Sequence, residues 1–175
     1  CLALIVLLTG LAIPSFTQWT LSYKHRTNLD AMISILNFAR SQAISTDQTV
    51  TLCSATNCSD QQYWEGQIIV FQDAGQIGKF DAGLDTIFKT LELEPEDQWL
   101  WKNFRNKSFL SFKPNGTTFS LNGTLDLCVS NAKIYSIKIN TAGRARSIKQ
   151  PSPSKCIEET VSAPIKATHP QKLDL

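Results

Sequence analysis

The chain has 175 residues, which is enough for one domain with a substantial core but not for two. Hydrophobic residues make up 42% and charged residues 18%, and this balance excludes a disordered chain and a coiled coil. The formal net charge is only +2, but residues 30–98 hold 11 acids and 3 bases whereas residues 99–157 hold 10 bases and 1 acid. Such a split predicts an anionic partner for the basic part.

The chain opens on an apolar segment, Cys1–Ile13, that is followed by Pro14. A helix of this length covers about 20 Å, which is short of the roughly 20 residues that a bilayer needs. We therefore expect residues 1–16 to be the transmembrane part of an N-terminal helix whose start is missing. A signal peptide is the alternative, because its apolar region has a similar length. Apolar residues recur at helical spacing from Phe16 to Ile44, however, which favours one continuous helix.

Beyond the helix, alternating and apolar runs between turn signals predict a series of strands. They cover Thr49–Cys53, Gln67–Phe71, Thr86–Leu93, Ser108–Phe112, Thr118–Leu121, Thr124–Val129 and Ile134–Ile139. Asn115-Gly116 and Asn122-Gly123 are strong turn signals between strands. One helix followed by antiparallel strands predicts an α+β fold, with residues 17–157 as the globular domain and residues 158–175 as a flexible tail.

Short segments in chain order resemble one protein family. The stretch Ala12-Ile13-Pro14-Ser15-Phe16 resembles the N-terminal helix of type IV pilins and type II secretion pseudopilins. Six further segments resemble the FimT/GspH family of minor pilins and pseudopilins: residues 37–43 (NFARSQA), 50–53 (VTLC), 64–73 (WEGQIIVFQD), 112–116 (FKPNG), 123–128 (GTLDLC) and 139–146 (INTAGRAR). The stretch Leu91–Asn106 and the chain after Cys156 depart from the family pattern.

This resemblance implies a pilin-like fold, in which a long N-terminal helix packs on an antiparallel β-sheet head. It implies a bacterial protein with a methylated N-terminus that crosses the inner membrane once, with its head in the periplasm, before it enters a pilus at the cell surface. Other major and minor pilins would then be its partners through the N-terminal helix.

Five cysteines indicate an oxidised domain outside the cytosol. Cys1 is expected to act as a small apolar residue, which leaves Cys53, Cys58, Cys128 and Cys156. A four-cysteine zinc site usually needs close C-x2-C pairs, so the spacing fits it poorly. In an exported domain these residues would form disulfides, and three pairings are possible. We favour Cys53–Cys58 with Cys128–Cys156, whose second bond would pin the basic segment that follows position 143 onto a strand.

The region from Lys133 to Cys156 contains six bases and no acid. If its Gly143-Arg144-Ala145-Arg146 segment is extended, the two arginines point the same way about 6.5 to 7 Å apart, which suits adjacent phosphates of one nucleic-acid strand. A solvated basic face is the alternative. In the resembling family, members associated with DNA uptake carry a Gly-Arg-x-Arg motif at this place, and residues 143–146 match it. The predicted DNA-binding residues are therefore Gly143, Arg144, Arg146, Lys149, Lys138, Lys155 and Lys133.

A second and weaker basic cluster lies earlier in the chain. Lys102, Arg105 and Lys107 are interleaved with or adjacent to the aromatic residues Trp99, Trp101 and Phe104. Aromatic side chains among bases can stack on unpaired nucleotide bases. The alternative is that the tryptophans belong to the core or to a subunit contact.

No catalytic pattern accompanies these clusters. His25 and His169 are the only histidines, and the sequence has no Ser/His/Asp set, no metal-ligand spacing and no phosphate-binding loop. We therefore predict no enzymatic activity, no cofactor and no metal. The acidic run Glu92, Glu94, Glu96 and Asp97 is interpreted as a solvated loop, with a calcium site as the minor alternative.

The sequence therefore predicts a minor pilin of a type IV pilus that binds duplex DNA without sequence specificity, for DNA uptake in natural transformation. The alternative is a structural minor pseudopilin of a type II secretion system, or a pilus-priming subunit, whose basic face contacts acidic neighbouring subunits instead of DNA. A third hypothesis, a eukaryotic secreted glycoprotein, rests on four Asn-x-Ser/Thr sequons, which we interpret as turn-forming asparagines.

Overall fold

One long helix begins the structure. The computed structural model describes residues 2–54, 58 and 62–156, and the side chains of residues 2–19 and 149–153 lie outside this description. Helix α1 spans Leu2–Thr46, as the periodic apolar pattern predicts. It ends at Asp47, whose φ of 56° is left-handed, while Gln48 N donates to Ala43 O at 3.3 Å. This is a common way for a helix to stop.

The second half of α1 buries one face. Leu29, Met32, Leu36, Ala39 and Ala43 are each 2% exposed or less, and they recur every three or four residues. Within the described part of the chain, no helix combines the length and the apolar character that a membrane span requires. The predicted tail, residues 158–175, lies outside the described residues.

Nine strands follow in the described residues, and they form two antiparallel sheets. They are β1 (Val50–Ser54), β2 (Tyr63–Trp64), β3 (Gln67–Gln72), β4 (Thr86–Glu92), β5 (Asp97–Asn103), β6 (Leu110–Phe112), β7 (Gly123–Val129), β8 (Ala132–Ile139) and β9 (Ala145–Lys155). The four-stranded sheet has the order β4-β3-β1-β6, and the five-stranded sheet has the order β2-β5-β7-β8-β9. The predicted α+β class is confirmed.

The main core lies between the helix and the two sheets. Trp64, Trp99 and Trp101 are fully buried there, together with the buried face of α1. Trp64 Nε1 donates to Ser108 O at 2.7 Å, and Trp101 Nε1 donates to Phe109 O at 3.1 Å. Two of the three indole donors are thus satisfied by the loop that joins β5 to β6, so the core and this loop are tied together.

The predicted strand Thr118–Leu121 is wrong. Only Thr118 forms a bridge, to Phe112, and Thr118 N donates to Thr141 O at 2.9 Å. Ser120 has a φ of 60°, which interrupts an extended backbone. Residues 113–122 therefore form a loop between β6 and β7.

The acidic run before β5 is only partly a solvated loop. Glu92, Glu94 and Glu96 are exposed, but Asp97 is 2% exposed and accepts a hydrogen bond from Asn28 Nδ2. His25 Nδ1 lies 3.5 Å from Asp97 Oδ1, and Lys24 pairs with Glu94 at 3.0 Å. The hydrogen bond to Glu94 raises the pKa of Lys24. These contacts fasten α1 to the turn between β4 and β5 and to the first residue of β5.

Candidate nucleic-acid interface

A tight turn joins β8 to β9 and carries the Gly-Arg-x-Arg segment. Gly143 N donates to Asn140 O at 2.9 Å, and Arg144 N donates to the Asn140 side-chain oxygen at 2.9 Å. Gly143 has a φ of +75°, which favours glycine. A three-residue loop that ends in a left-handed glycine is a common hairpin connection. We call residues Asn140–Arg144 the hairpin tip.

The hairpin tip packs against a second turn, residues 113–117. A Cβ on Gly143 would lie 2.2 Å from Gly116 O, so the two backbones touch. Gly116 O also accepts a hydrogen bond from Arg40 Nε at 2.9 Å, and Arg40 comes from the last part of α1. The helix therefore holds the turn that supports the hairpin tip. Arg40 is a positioning residue that sequence reasoning missed, because it lies 103 positions before Gly143 and nothing local connects them.

Arg144 and Arg146 are both exposed, and Arg146 lies in β9 while Arg144 immediately precedes its first residue. Asn140 N donates to Arg144 O at 3.3 Å and closes the β8–β9 ladder. Neither arginine forms an ion pair within the described residues. Both guanidinium groups are therefore available to an anion outside the protein.

Strand register extends this charge across the five-stranded sheet. Lys102 pairs with Thr124, Thr124 with Lys138, and Lys138 with Arg146. Residues directly opposite each other in antiparallel strands share a face, so these four side chains form one row, which we call the basic row. Three strand spacings make the row about 14 Å long. It brings Lys102, from the weaker cluster, to the same face as Arg146.

The other predicted residues have different surroundings. Lys133 Nζ lies 3.4 Å from Asp126 Oδ2, and Ser136 Oγ donates to Asp126 Oδ1 at 2.6 Å. The charge of Lys133 is therefore balanced by the one acid of the basic part of the chain. Lys155 is exposed, and it pairs with Ala132 at the other end of β9. Lys149 pairs with Tyr135, and its side chain lies outside the described residues.

The weaker cluster divides into core and surface. Trp99 and Trp101 are fully buried, so they belong to the core and not to an exposed stacking surface. Phe104 is 81% exposed, and Arg105 and Lys107 are exposed in the loop that follows β5. The loop keeps its shape because the Asn103 side-chain oxygen accepts from Arg105 N at 3.2 Å and from Lys107 N at 3.0 Å.

Both disulfides of the favoured pairing are present, Cys53–Cys58 and Cys128–Cys156. Cys128 and Cys156 pack with Leu100, and Lys102 Nζ donates to Cys156 O at 3.4 Å. Cys156, which directly follows β9, is thus held near the basic row. The arginines themselves do not depend on this bond alone, because β9 pairs with β8 from Ala145 to Lys149.

We expect Arg40→Lys to lower the free energy of unfolding by about 1–2 kcal/mol, because it removes a charge-assisted hydrogen bond to a carbonyl that lysine cannot replace in the same geometry. Urea unfolding of the full chain measures the effect. Arg26→Lys is the matched control, since Arg26 forms an exposed pair with Asp30 at 3.5 Å, and such pairs contribute little. Equal changes in the two variants would contradict the positioning role of Arg40.

Comparison with known proteins agrees with this architecture. The family described as type II transport protein GspH matches residues 28–143. Two crystal structures of the type IV minor pilin FimU from Pseudomonas aeruginosa PAO1, in space groups P65 and P21, share the fold with a TM-score of 0.59 each. The sequence identity with this chain is 15% for the first structure and 16% for the second. Each alignment covers 75% of this chain, and it covers 99% of the first FimU chain and 94% of the second.

No curated protein sequence matches the chain at a significant level. The family match spans well over half of the 175 residues, and the fold is that of a minor pilin. The chain therefore belongs to the GspH family and has the pilin fold: one N-terminal helix packed on antiparallel sheets.

Proposed function

We propose that this protein is a minor pilin whose head binds duplex DNA without sequence specificity, for DNA uptake in natural transformation. The observation that carries the proposal is the continuity of exposed positive charge from the hairpin tip along the basic row. Arg144, Arg146, Lys138 and Lys102 are all exposed on it, and the nearby Asp126 is already neutralised by Lys133. Family membership supports the coarser part, a minor pilin or pseudopilin.

The expected chemistry is phosphate recognition. Arginine presents a planar set of donors that binds phosphate in a bidentate manner. Adjacent phosphates of one DNA strand lie about 7 Å apart along the backbone, so the row of about 14 Å reaches roughly three of them, and Arg144 at the hairpin tip can reach a fourth. Contacts of this kind give affinity and orientation but read no sequence. A surface of four cations would bind weakly, at micromolar Kd or above at physiological salt.

In the cell, we propose a single-pass protein of the bacterial inner membrane with its head in the periplasm. It would enter a pilus at the cell surface through packing of α1 against the helices of major and minor pilins. Weak binding by one subunit is sufficient there, because several subunits on one fibre can engage the same DNA and raise the effective affinity.

The test is a fluorescence-anisotropy titration of the full chain, in a non-ionic detergent, with a labelled duplex of arbitrary sequence at several salt concentrations. We expect the logarithm of the association constant to fall with the logarithm of salt at a slope of about −3.6 for four phosphate contacts. Arg144→Ala/Arg146→Ala should weaken binding at least about tenfold and reduce the slope by about 1.8.

A matched control removes two positive charges from elsewhere on the head. Arg26 and Lys89 are suitable, because Arg26 pairs with Asp30 and Lys89 lies over the ring of Phe38. Arg26→Ala/Lys89→Ala should leave affinity and slope nearly unchanged. Binding that does not depend on salt, or that both double variants weaken equally, would overturn the proposal.

The second candidate is a structural minor pseudopilin or pilus-priming subunit without DNA binding. It is favoured by the exposed glutamates at positions 92, 94 and 96, which lie at the end of β4 and in the turn that follows it. Their negative charge is complementary to the positive charge of the basic row. A neighbouring subunit could place such a turn on the basic row. No duplex binding, together with a salt-sensitive association of the chain with itself or with other pilins, would favour this candidate.

A further inference from the structure

A cleft with a basic rim lies beside the hairpin tip. It has a volume of about 770 Å³ and is bounded by the loop 73–85 and the loop that joins β5 to β6. Lys79, Arg105 and Lys107 lie on its lining, all three are exposed, and no acidic residue lines it within the described residues. We call this surface the basic cleft.

Aromatic rings form the apolar part of the basic cleft. Phe80, Phe109 and Phe119 line it, and each is half-buried. The ring of Phe109 lies against Gly78, where a Cβ would come within 2.1 Å of the ring. Phe80 packs edge-on against Phe71 with 5.3 Å between ring centroids. The rings are therefore fixed by packing and remain partly open to a ligand.

The wall of the basic cleft is also preorganised by hydrogen bonds. Asp73 Oδ2 accepts from Thr51 Oγ1 at 2.6 Å and from Gly78 N at 2.8 Å. Asp85 accepts from Ala74 N at 2.9 Å and from Asp81 N at 2.7 Å. Burial raises the pKa of the Asp73 carboxyl. These carboxylates hold backbone donors of their own loop, and neither of them is among the residues that line the basic cleft.

Two consecutive residues connect the basic cleft to the hairpin tip. Thr118 N and Oγ1 both donate to Thr141 O, at 2.9 and 3.4 Å, in the hairpin tip. The next residue, Phe119, lines the basic cleft and accepts at its carbonyl from Arg105 Nη1 at 3.4 Å. A DNA strand whose phosphates contact the hairpin tip would therefore have its next few nucleotides within reach of the basic cleft.

We propose that the basic cleft binds one unpaired nucleotide of a DNA strand, with its base on the phenylalanine rings and its phosphate at Arg105, Lys107 and Lys79. This inference rests on the proposed function, because the hairpin tip would hold the adjacent backbone. The cleft volume lies in the range of small-ligand sites, and a basic groove with aromatic rings is a general way to bind single strands. Bases inside a duplex are stacked on both faces, so the cleft would select strand ends and gaps.

The experiment compares three labelled probes on the full chain: a blunt duplex, the same duplex with a single-stranded thymidine overhang, and the thymidine strand alone. We expect the overhang to tighten binding at least about fivefold over the blunt duplex, because one unpaired base can stack on the phenylalanine rings. Arg105→Ala/Lys107→Ala and Phe119→Leu should each remove most of this preference. Phe119→Leu keeps an apolar side chain under Lys113, whose Nζ lies 4.9 Å from the ring centroid.

The control variants separate this proposal from the proposed function. Arg144→Ala/Arg146→Ala should weaken the blunt and overhang duplexes by the same factor and preserve their ratio, and Arg26→Ala/Lys89→Ala should change neither. Equal binding of blunt and overhang duplexes would overturn the cleft proposal and leave the proposed function intact. Binding of the thymidine strand alone, lost in Arg105→Ala/Lys107→Ala, would support the cleft even if the blunt duplex does not bind.

Discussion

The substitution Gly143→Ala will lower the free energy of unfolding by about 3 kcal/mol, which is the sum of left-handed backbone strain and overpacking. The added Cβ would lie 2.2 Å from Gly116 O and 3.0 Å from Arg40 Nε. The carbonyl cannot move away cheaply, because it belongs to backbone that Arg40 holds by a hydrogen bond. Urea unfolding of the full chain measures the loss, and the same sample should show weakened binding of a duplex probe.

Gly66→Ala provides a matched control for the backbone strain alone. Gly66 has a φ of +69°, close to the +75° of Gly143, but nothing lies within 4 Å of its Cβ position. Its replacement should therefore cost only about 1–2 kcal/mol and leave DNA binding unchanged. Equal destabilisation by the two alanines would show that the contact between the two turns contributes nothing to the hairpin tip.

Removal of the Cys128–Cys156 disulfide will cost about 3.6 kcal/mol if loop entropy dominates, because the bond closes a long loop. The sequence separation is 28 residues, against 5 for Cys53–Cys58, whose removal should cost about 2.2 kcal/mol. Cys128→Ala/Cys156→Ala and Cys53→Ala/Cys58→Ala compare the two bonds by thermal or urea unfolding. A larger loss from the short loop would contradict this order.

The Cys128→Ala/Cys156→Ala variant also tests whether the disulfide or the strand pairing positions the arginines. Arg146 lies in a part of β9 that is paired with β8 independently of the disulfide. We therefore expect the folded Cys128→Ala/Cys156→Ala protein to bind duplex DNA within about threefold of the parent, a change well under 1 kcal/mol. A loss of binding as large as that of Arg144→Ala/Arg146→Ala would mean that the bond, and not the strand, positions the hairpin.

Local patterns in the sequence were sufficient for the helix and for most of the strands, and the disulfide pairing favoured among three possibilities is the one present. They gave no strand for β5, because its acidic start resembles a loop, although the interpretation of Trp99 and Trp101 as core residues is confirmed. They also gave no strand for β9, whose two prolines and several serines are unusual in a strand. Both failures have one physical origin: pairing with distant strands outweighed weak local preference.

The candidate site could be predicted only in part for a related reason. Spacing alone places Arg144 and Arg146 on one side of an extended segment. The alignment of Lys102 with Lys138 and Arg146 depends on the register of four strands, and the support from Arg40 depends on how α1 packs. Neither relation is contained in any short stretch of residues. The contact of Lys133 with Asp126 likewise lies beside a register shift between β7 and β8, from Leu127 opposite Tyr135 to Cys128 opposite Lys133.

The prolines of β9 have a consequence for how heads behave when they are crowded. β9 is the outermost strand of its sheet, and Pro151 and Pro153 lie where its pairing with β8 shifts between Lys133 and Tyr135. A proline has no backbone N–H, so this stretch of the edge cannot donate the hydrogen bonds that an incoming strand would need. Two heads held side by side therefore cannot extend one continuous ladder along this stretch, and any pairing between them would be limited to the short part of β9 before Pro151.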